Sequence, residues 1–219
     1  MNEDASQLRV RVFDLALIVL TAPIWLLLLA VISVAVLVTS GRPIHFTQTR
    51  TGRGRKPFTI FKFRTMAPGD NPLVPEANRI TPIGRFLRRT SLDELPQLIN
   101  VLIGDMSLVG PRPMPPELSD RVGRDGGGRF LVRPGLTGLA QVNGRNSIPW
   151  EARLIFDQRW VDGIGVRLAV RILARTARVV ATGNGIDGHD PQDRLIMTAE
   201  LDPRNAPTKE LALDGSPVS

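Results

Sequence analysis

The chain is expected to adopt an α+β fold, mainly helical, with an apolar N-terminal helix kinked near Pro23 ahead of a basic domain carrying amphipathic helices. Three observations carry that expectation. Leu15 to Val38 runs without a charge. A block from Thr90 to Pro113, TSLDELPQLINVLIGDMSLVGPRP, sets two adjacent acids before an apolar helical run. Arg167, Arg171, Arg175 and Arg178 then recur at helical spacing opposite Leu168, Ile172 and Val179.

At 219 residues and 42% hydrophobic content the chain has enough material for one substantial core. A net charge of +7 points to an anionic partner: a membrane surface, a phosphorylated substrate or nucleic acid. Cysteine is absent, which excludes disulfides and thiolate metal sites. Only His45 and His189 are histidines, which argues against a histidine-based zinc site or a Ser-His-Asp triad. Neither GxxxxGK[ST] nor GxGxxG occurs.

Taken in order, the uncharged run of 24 residues would extend roughly 36 Å as a straight helix, long enough to cross a bilayer. Pro23 lies inside it and removes a helical hydrogen bond. Basic residues flank both ends: Arg9 and Arg11 before, Arg42, Arg50, Arg53, Arg55 and Lys56 after. A spanning helix usually keeps its basic flank on one side. A helix that dips in and returns and a kinked span both fit the pattern.

The segment PFTIFKFRTM interleaves Phe58, Ile60, Phe61 and Phe63 with Lys62 and Arg64, as a short strand or a helix start at a membrane surface. Pro68 to Asn78 reads as a turn-rich loop, and Pro115 to Gly128 as a charged, glycine-rich one. RPGLTG, from Arg133 to Gly138, reads as a compact turn. Trp150 to Asp162 and Val166 to Ala181 read as helices, and the chain from about Asp202 as disordered. The resulting domain plan is 1–40 for the membrane segment, 41–186 for the main domain and 187–219 for a polar tail.

The central block admits two readings. Ser91-Leu92-Asp93-Glu94 fits a capping box, with acids suited to a helix dipole. Alternatively, acids beside Arg85, Arg88, Arg89 and Arg112 form a site for a metal ion and a polyphosphate. Local spacing leaves both open.

The motifs together closely resemble the bacterial sugar transferases, or monotopic phosphoglycosyltransferases. The resemblance is carried by RVFD from Arg11 to Asp14, by Gln48 with Arg50 and Gly52, and by KFRTM from Lys62 to Met66. It continues through Arg79-Ile80-Thr81, Gly84-Arg85, the Thr90 to Pro113 block, RPGLTG and QVNGRN, covering roughly residues 9 to 186. It implies transfer of a sugar-1-phosphate from a nucleoside diphosphate sugar, usually a UDP-sugar, to polyprenyl phosphate. UMP is the other product, and the step opens assembly of a capsule, exopolysaccharide or other glycoconjugate. The family's acid pair falls on Asp93 and Glu94: Asp93 as nucleophile and metal ligand, Glu94 as its assistant. Lys62, Arg64, Arg88 and Arg112 are the expected phosphate-binding cations, and Mg²⁺ the expected cofactor. The family's re-entrant helix falls on Leu15 to Val38, with its kink at Pro23. That implies the bacterial inner membrane, with the catalytic domain on the cytoplasmic face.

The implied partners are therefore the sugar nucleotide, polyprenyl phosphate and the membrane, with no nucleic acid; self-association stays open. The chain departs from the family pattern at Ala22, where a serine hydroxyl would assist the kink, at Thr65 for serine, at Trp160 for tyrosine and at Ala169 for aspartate. It lacks the N-terminal four-helix extension of longer members and reads as a minimal form. The competing class is a membrane-anchored, non-catalytic binder of anionic lipid or nucleic acid.

Overall fold

In a computed structural model, residues 3–67, 79–122, 127–144 and 148–182 are described. The loop expected at Pro68 to Asn78, Arg145 and the tail 187–219 lie outside them. The uncharged run does not form one helix. α1 (Glu3–Leu20) stops at Thr21, and α2 (Ala22–Ser40) begins with Pro23 in its first turn, where a missing N–H costs little. The Thr21 hydroxyl donates to the Leu17 carbonyl at 2.7 Å, and the Trp25 indole N–H donates to the Ile18 carbonyl at 2.9 Å. The hydroxyl judged missing at Ala22 is thus supplied one residue earlier.

α2 is long and apolar enough to cross a membrane by length and composition. One stripe of it, Trp25, Ile32 and Val36, packs inward. Leu27, Val31, Val34 and Val38 stay exposed on the same helix. A soluble surface rarely carries so continuous an apolar face.

PFTIFKFRTM becomes strand β2 (Pro57–Phe63), paired antiparallel with β1 (His45–Thr51) in the register Phe46↔Lys62, Gln48↔Ile60 and Arg50↔Phe58. Each of these pairs lies on one face of the hairpin, so Gln48, Arg50 and Lys62 share a face. α3 (Pro82–Thr90) starts at Thr81, whose side chain accepts from the Gly84 N–H at 3.0 Å. α4 (Gln97–Ile103) follows, then β3 (Ser107–Val109) and α5 (Pro116–Val122).

RPGLTG is not a free turn. Gly135–Thr137 forms β4, parallel to β3 in the register Ser107↔Gly135, Val109↔Thr137. A Cβ on Gly135 would stand 2.0 Å from the Gly110 nitrogen, so only glycine permits that approach. The short α6 (Leu139–Val142) leads to α7 (Trp150–Asp162) and α8 (Val166–Thr182), close to the expected bounds.

The core gathers Ile60, Val101, Met106, Val109, Trp160, Ala169 and Ile172, with Ile18 and Trp25 contributing from the N-terminal helices. Ala169 and Trp160 are almost fully enclosed, so the two departures from the family pattern fill the core rather than the surface. On α8, Ile172 faces that core while Arg167, Arg171, Arg175 and Arg178 are exposed, as their spacing predicts.

Candidate active site

Local backbone, more than helix capping, shapes the acid pair. Ser91 adopts a left-handed conformation at φ 57° and its side chain caps nothing, so the expected capping box does not form. Leu92–Glu94 makes a 3₁₀ turn, Leu95-Pro96 carry the chain over, and α4 begins only at Gln97. Proline at that junction needs no partner for its nitrogen. A tight 3₁₀ turn points consecutive side chains in different directions, which separates Asp93 from Glu94.

Glu94 is the anchored member. Its Oε1 accepts from Lys62 Nζ at 2.6 Å and from Arg112 Nη2 at 2.6 Å, and its Oε2 accepts from Arg112 Nη1 at 3.3 Å. Burial by itself would raise the Glu94 carboxyl, yet Arg112 and Lys62 overcome it and hold the group well below the ordinary carboxylate range. Arg112 leaves half its side-chain area exposed, so the fork on Glu94 is open to solvent or ligand on its outer side.

Asp93 is the unengaged member. It makes no hydrogen bond among the described residues. Burial, and then the neighbouring Glu94 charge, push its carboxyl up to about 6, against the pull of Lys62, Arg112 and Arg88. A carboxylate with raised basicity and free lone pairs has the chemistry that a nucleophile or a metal ligand requires. Among the described residues no three acids or histidines cluster around it. A divalent cation here would take one protein carboxylate and fill its shell with phosphate oxygens and water, as Mg²⁺ commonly does.

Of the four cations expected to hold phosphate, three converge. Lys62 and Arg112 grip Glu94, and Arg88 acts on Asp93 through space while its Nε donates to Thr65 Oγ1 at 2.9 Å. Thr65 therefore keeps the hydroxyl that a serine would supply. Arg64 goes elsewhere: it donates to the carbonyls of Ser40, Gly41 and Arg42 at the C-terminal end of α2. It is a helix cap, its Nη1 and Nη2 donating to carbonyls and its side chain buried, with Nε left without a partner among the described residues. Pro23 sits in the opening turn of α2, far along the chain from this cluster.

Sequence reasoning missed the residues that hold the site in place. Asn100 is wholly buried; its Nδ2 donates to the Thr59 carbonyl at 2.7 Å and its Oδ1 accepts from the Phe61 N–H at 3.2 Å, tying α4 to β2 beside Lys62. A lone asparagine in the apolar run Leu98 to Ile103 was the available signal. Arg129 donates to the Arg112 carbonyl and pairs with Asp157 on α7 at 3.2 Å. Nothing local in the sequence marks that pair.

A turn that presents one free and one clamped carboxylate amid Lys62, Arg88 and Arg112 has the composition of a phosphoryl-handling site. The family follows from comparison. The bacterial sugar transferase family model matches residues 5–183, and the chain belongs to that family. It is 42% identical over 200 residues to the uncharacterized sugar transferase EpsL of Bacillus subtilis, covering 87% of this chain and 97% of that one. It is 46% identical over 148 residues to the UDP-glucose:undecaprenyl-phosphate glucose-1-phosphate transferase of Caulobacter vibrioides, covering 64% of this chain and 55% of that one. With the undecaprenyl-phosphate galactose phosphotransferase of Salmonella typhimurium it shares 40% over 165 residues, 66% of this chain and 35% of that one. The chain thus spans nearly all of the first relative but only about half and a third of the other two.

Proposed function

We propose that this protein transfers a sugar-1-phosphate from a UDP-sugar to undecaprenyl phosphate or a similar polyprenyl phosphate, at the cytoplasmic face of a bacterial inner membrane. The observation that carries this reading is the asymmetry of the acid pair: Glu94 is saturated by Lys62 and Arg112, and Asp93 is not. The names of the relatives support the donor and acceptor classes, with glucose and galactose as the sugars to try first.

In this reading an Asp93 oxygen attacks the sugar-bearing phosphorus. The bond from that phosphorus to the oxygen bridging to the nucleotide breaks, and UMP leaves with the electron pair. The result is an aspartyl phosphosugar. A phosphate oxygen of the polyprenyl phosphate then attacks the same phosphorus, and the Asp93 carboxylate leaves, giving polyprenyl-diphosphate-sugar. Splitting the transfer in two avoids bringing two bulky anions together in one step. Glu94 holds Lys62 and Arg112 in a fixed array, so their outward N–H groups meet the diphosphate without reorganisation. Arg88 flanks the reacting carboxylate. Bound Mg²⁺, on Asp93 and the phosphates, would lower repulsion between the attacking carboxylate and the diphosphate.

The membrane arrangement belongs to the same proposal. The chain enters the bilayer along the apolar end of α1, turns at the break at Thr21 and returns along α2 with its exposed apolar face, so the site stands at the headgroup plane where a soluble donor meets a lipid phosphate. The exposed arginines of α8 lie on anionic headgroups. The test uses membrane-embedded protein, Mg²⁺ and a panel of sugar-labelled UDP-sugars without acceptor, read by intact mass. An adduct of one sugar phosphate that is absent in Asp93→Asn and discharged by polyprenyl phosphate is the expected result. Discharge of the adduct by water alone at the same rate would make the protein a hydrolase, and no adduct from any donor would refute covalent transfer.

A further inference from the structure

We propose that Arg50 is a further binding residue for the diphosphate of the donor, held beside Arg112 by Gln48 and by the junction of β1 with the segment after Pro113. The inference rests on the transfer reading above and adds a residue to it.

The backbone brings Arg50 to the site. Thr51, its neighbour, donates its N–H to the Met114 carbonyl at 2.9 Å and forms an isolated antiparallel bridge with Met114. The end of β1 therefore lies against the chain just past Pro111-Arg112-Pro113. The hairpin register places Arg50 on the same face as Lys62, and Lys62 reaches Glu94 from that face.

The side chain is then oriented without being neutralised. Gln48, two residues back on the same face, accepts from Arg50 Nη2 through its Oε1 at 2.6 Å. An amide oxygen fixes a guanidinium in direction but supplies no countercharge. Arg50 Nε is sealed from solvent and has no hydrogen-bond partner among the described residues. Burial, and then the charge of Arg112, lower the Arg50 guanidinium to about 10, while Glu94 and the exposed Glu117 pull it back. Glu94 already serves two cations. The cluster thus sets Arg50, Lys62, Arg88 and Arg112 against Asp93 and Glu94, an excess of two positive charges among those six groups.

Arginines with a purely architectural task look different in this chain. Arg11 donates to the Val101 and Leu102 carbonyls, Arg133 to Gly104, and Arg64 to three carbonyls at the end of α2. Arg50 donates to no carbonyl in the described hydrogen bonds; its one partner is a side-chain amide that sets its direction. A forked cation beside a second forked cation, both near a carboxylate already in use, matches an anion carrying several oxygens and about two charges. A diphosphate supplies both.

The experiment compares wild type with Arg50→Gln and Arg50→Lys as full-length, membrane-embedded protein. Adduct formation is followed against donor concentration, discharge against polyprenyl phosphate concentration, and thermal melting with and without inorganic pyrophosphate. The expected result for Arg50→Gln is a donor half-saturation raised tenfold or more with the acceptor half-saturation unchanged. Its melting temperature without ligand should be equal to or above that of wild type, and its pyrophosphate-induced shift should be lost. Arg50→Lys should recover part of the donor affinity. An unchanged donor half-saturation, or a shift in the acceptor alone, would overturn the assignment. So would a lowered melting temperature of the free protein with the pyrophosphate shift intact, since that is an architectural role. If wild type forms no adduct, the transfer reading fails separately, and the pyrophosphate shift still decides whether Arg50 binds the anion.

Discussion

Replacing Glu94 by glutamine should move the acid limb of the reaction, and the direction follows from the charges around Asp93. In the wild type, burial and the Glu94 charge raise Asp93 from an ordinary 3.8 to about 6. Glutamine removes that negative neighbour. It also releases Lys62 and Arg112 from a carboxylate that partly cancels them, and both lower the Asp93 value. Two unit charges about 4 Å apart at an effective dielectric near 20 interact by about 4 kcal/mol, or about three pK units, which sets a ceiling. Burial, the larger cause of the raise, remains and opposes the change, so a fall of about one unit, part of the way to the ordinary range, is the expected size. The assay is single-turnover UMP release without acceptor, from pH 4.5 to 8. Wild type should lose rate below about pH 6, as Asp93 gains a proton and its nucleophilic lone pair is lost. Glu94→Gln should be slower throughout, because its cations are no longer fixed, yet its limb should lie about one unit lower than that of wild type. A limb that stays near 6, or climbs, would refute the account of Asp93 as an acid raised in part by its neighbour.

Three further outcomes follow from the same geometry. Gly84→Ala should lose about 1–3 kcal/mol in chemical denaturation, because a Cβ there meets the Thr65 carbonyl oxygen at 2.0 Å and α3 must shift. That shift also pulls Arg88 from Thr65, so adduct formation should fall more than stability alone explains. For Asp157, burial outweighs Arg129 and Arg153 and raises the carboxyl from 3.8 to about 6. The stability this confers is fully present below pH 3.8 and lost as pH rises through 6, so wild type should weaken relative to Asp157→Asn by up to about 3 kcal/mol across that window. An ion pair that was net favourable would give the opposite slope in paired denaturation curves. Chelation of divalent ions should abolish adduct formation, with Mg²⁺ restoring it and the melting temperature of the free protein unchanged within a degree or so; activity that survives chelation would remove the metal from the proposal.

What was legible in the sequence was local. The apolar run, the amphipathic α8 and the Thr90 to Pro113 block are contiguous patterns whose periodicity or motif content stands in the chain itself. What was not legible depended on long-range pairing or on backbone direction. RPGLTG looked like a turn because its partner, Ser107 to Val109, lies 28 residues upstream and no local signal announces a parallel pair. The capping box looked sound because Ser and Glu stood three apart, but Ser91 stands at positive φ and its side chain makes no capping hydrogen bond. Arg64 has the right residue type and neighbourhood for phosphate; only the fold reveals that its donors point back to α2.

Arg64 also exposes a weakness in reasoning from net charge. An excess of seven positive charges argues for an anionic partner only if the cations face outward. Here Arg11 and Arg133 bond carbonyls at the end of α4, and Arg64 does so at the end of α2, where helix termini leave acceptors unmet. Arg129 is turned inward to the Arg112 carbonyl. The charge left for partners includes the acid pair's surround and the exposed face of α8. The inward arginines connect the first of those places to the N-terminal helices. Arg11 on α1 grips the far end of α4, whose near end follows the Asp93-Glu94 turn, and Arg64 grips the end of α2 one residue before Thr65, the partner of Arg88. Both N-terminal helices are therefore bonded to elements that carry the site.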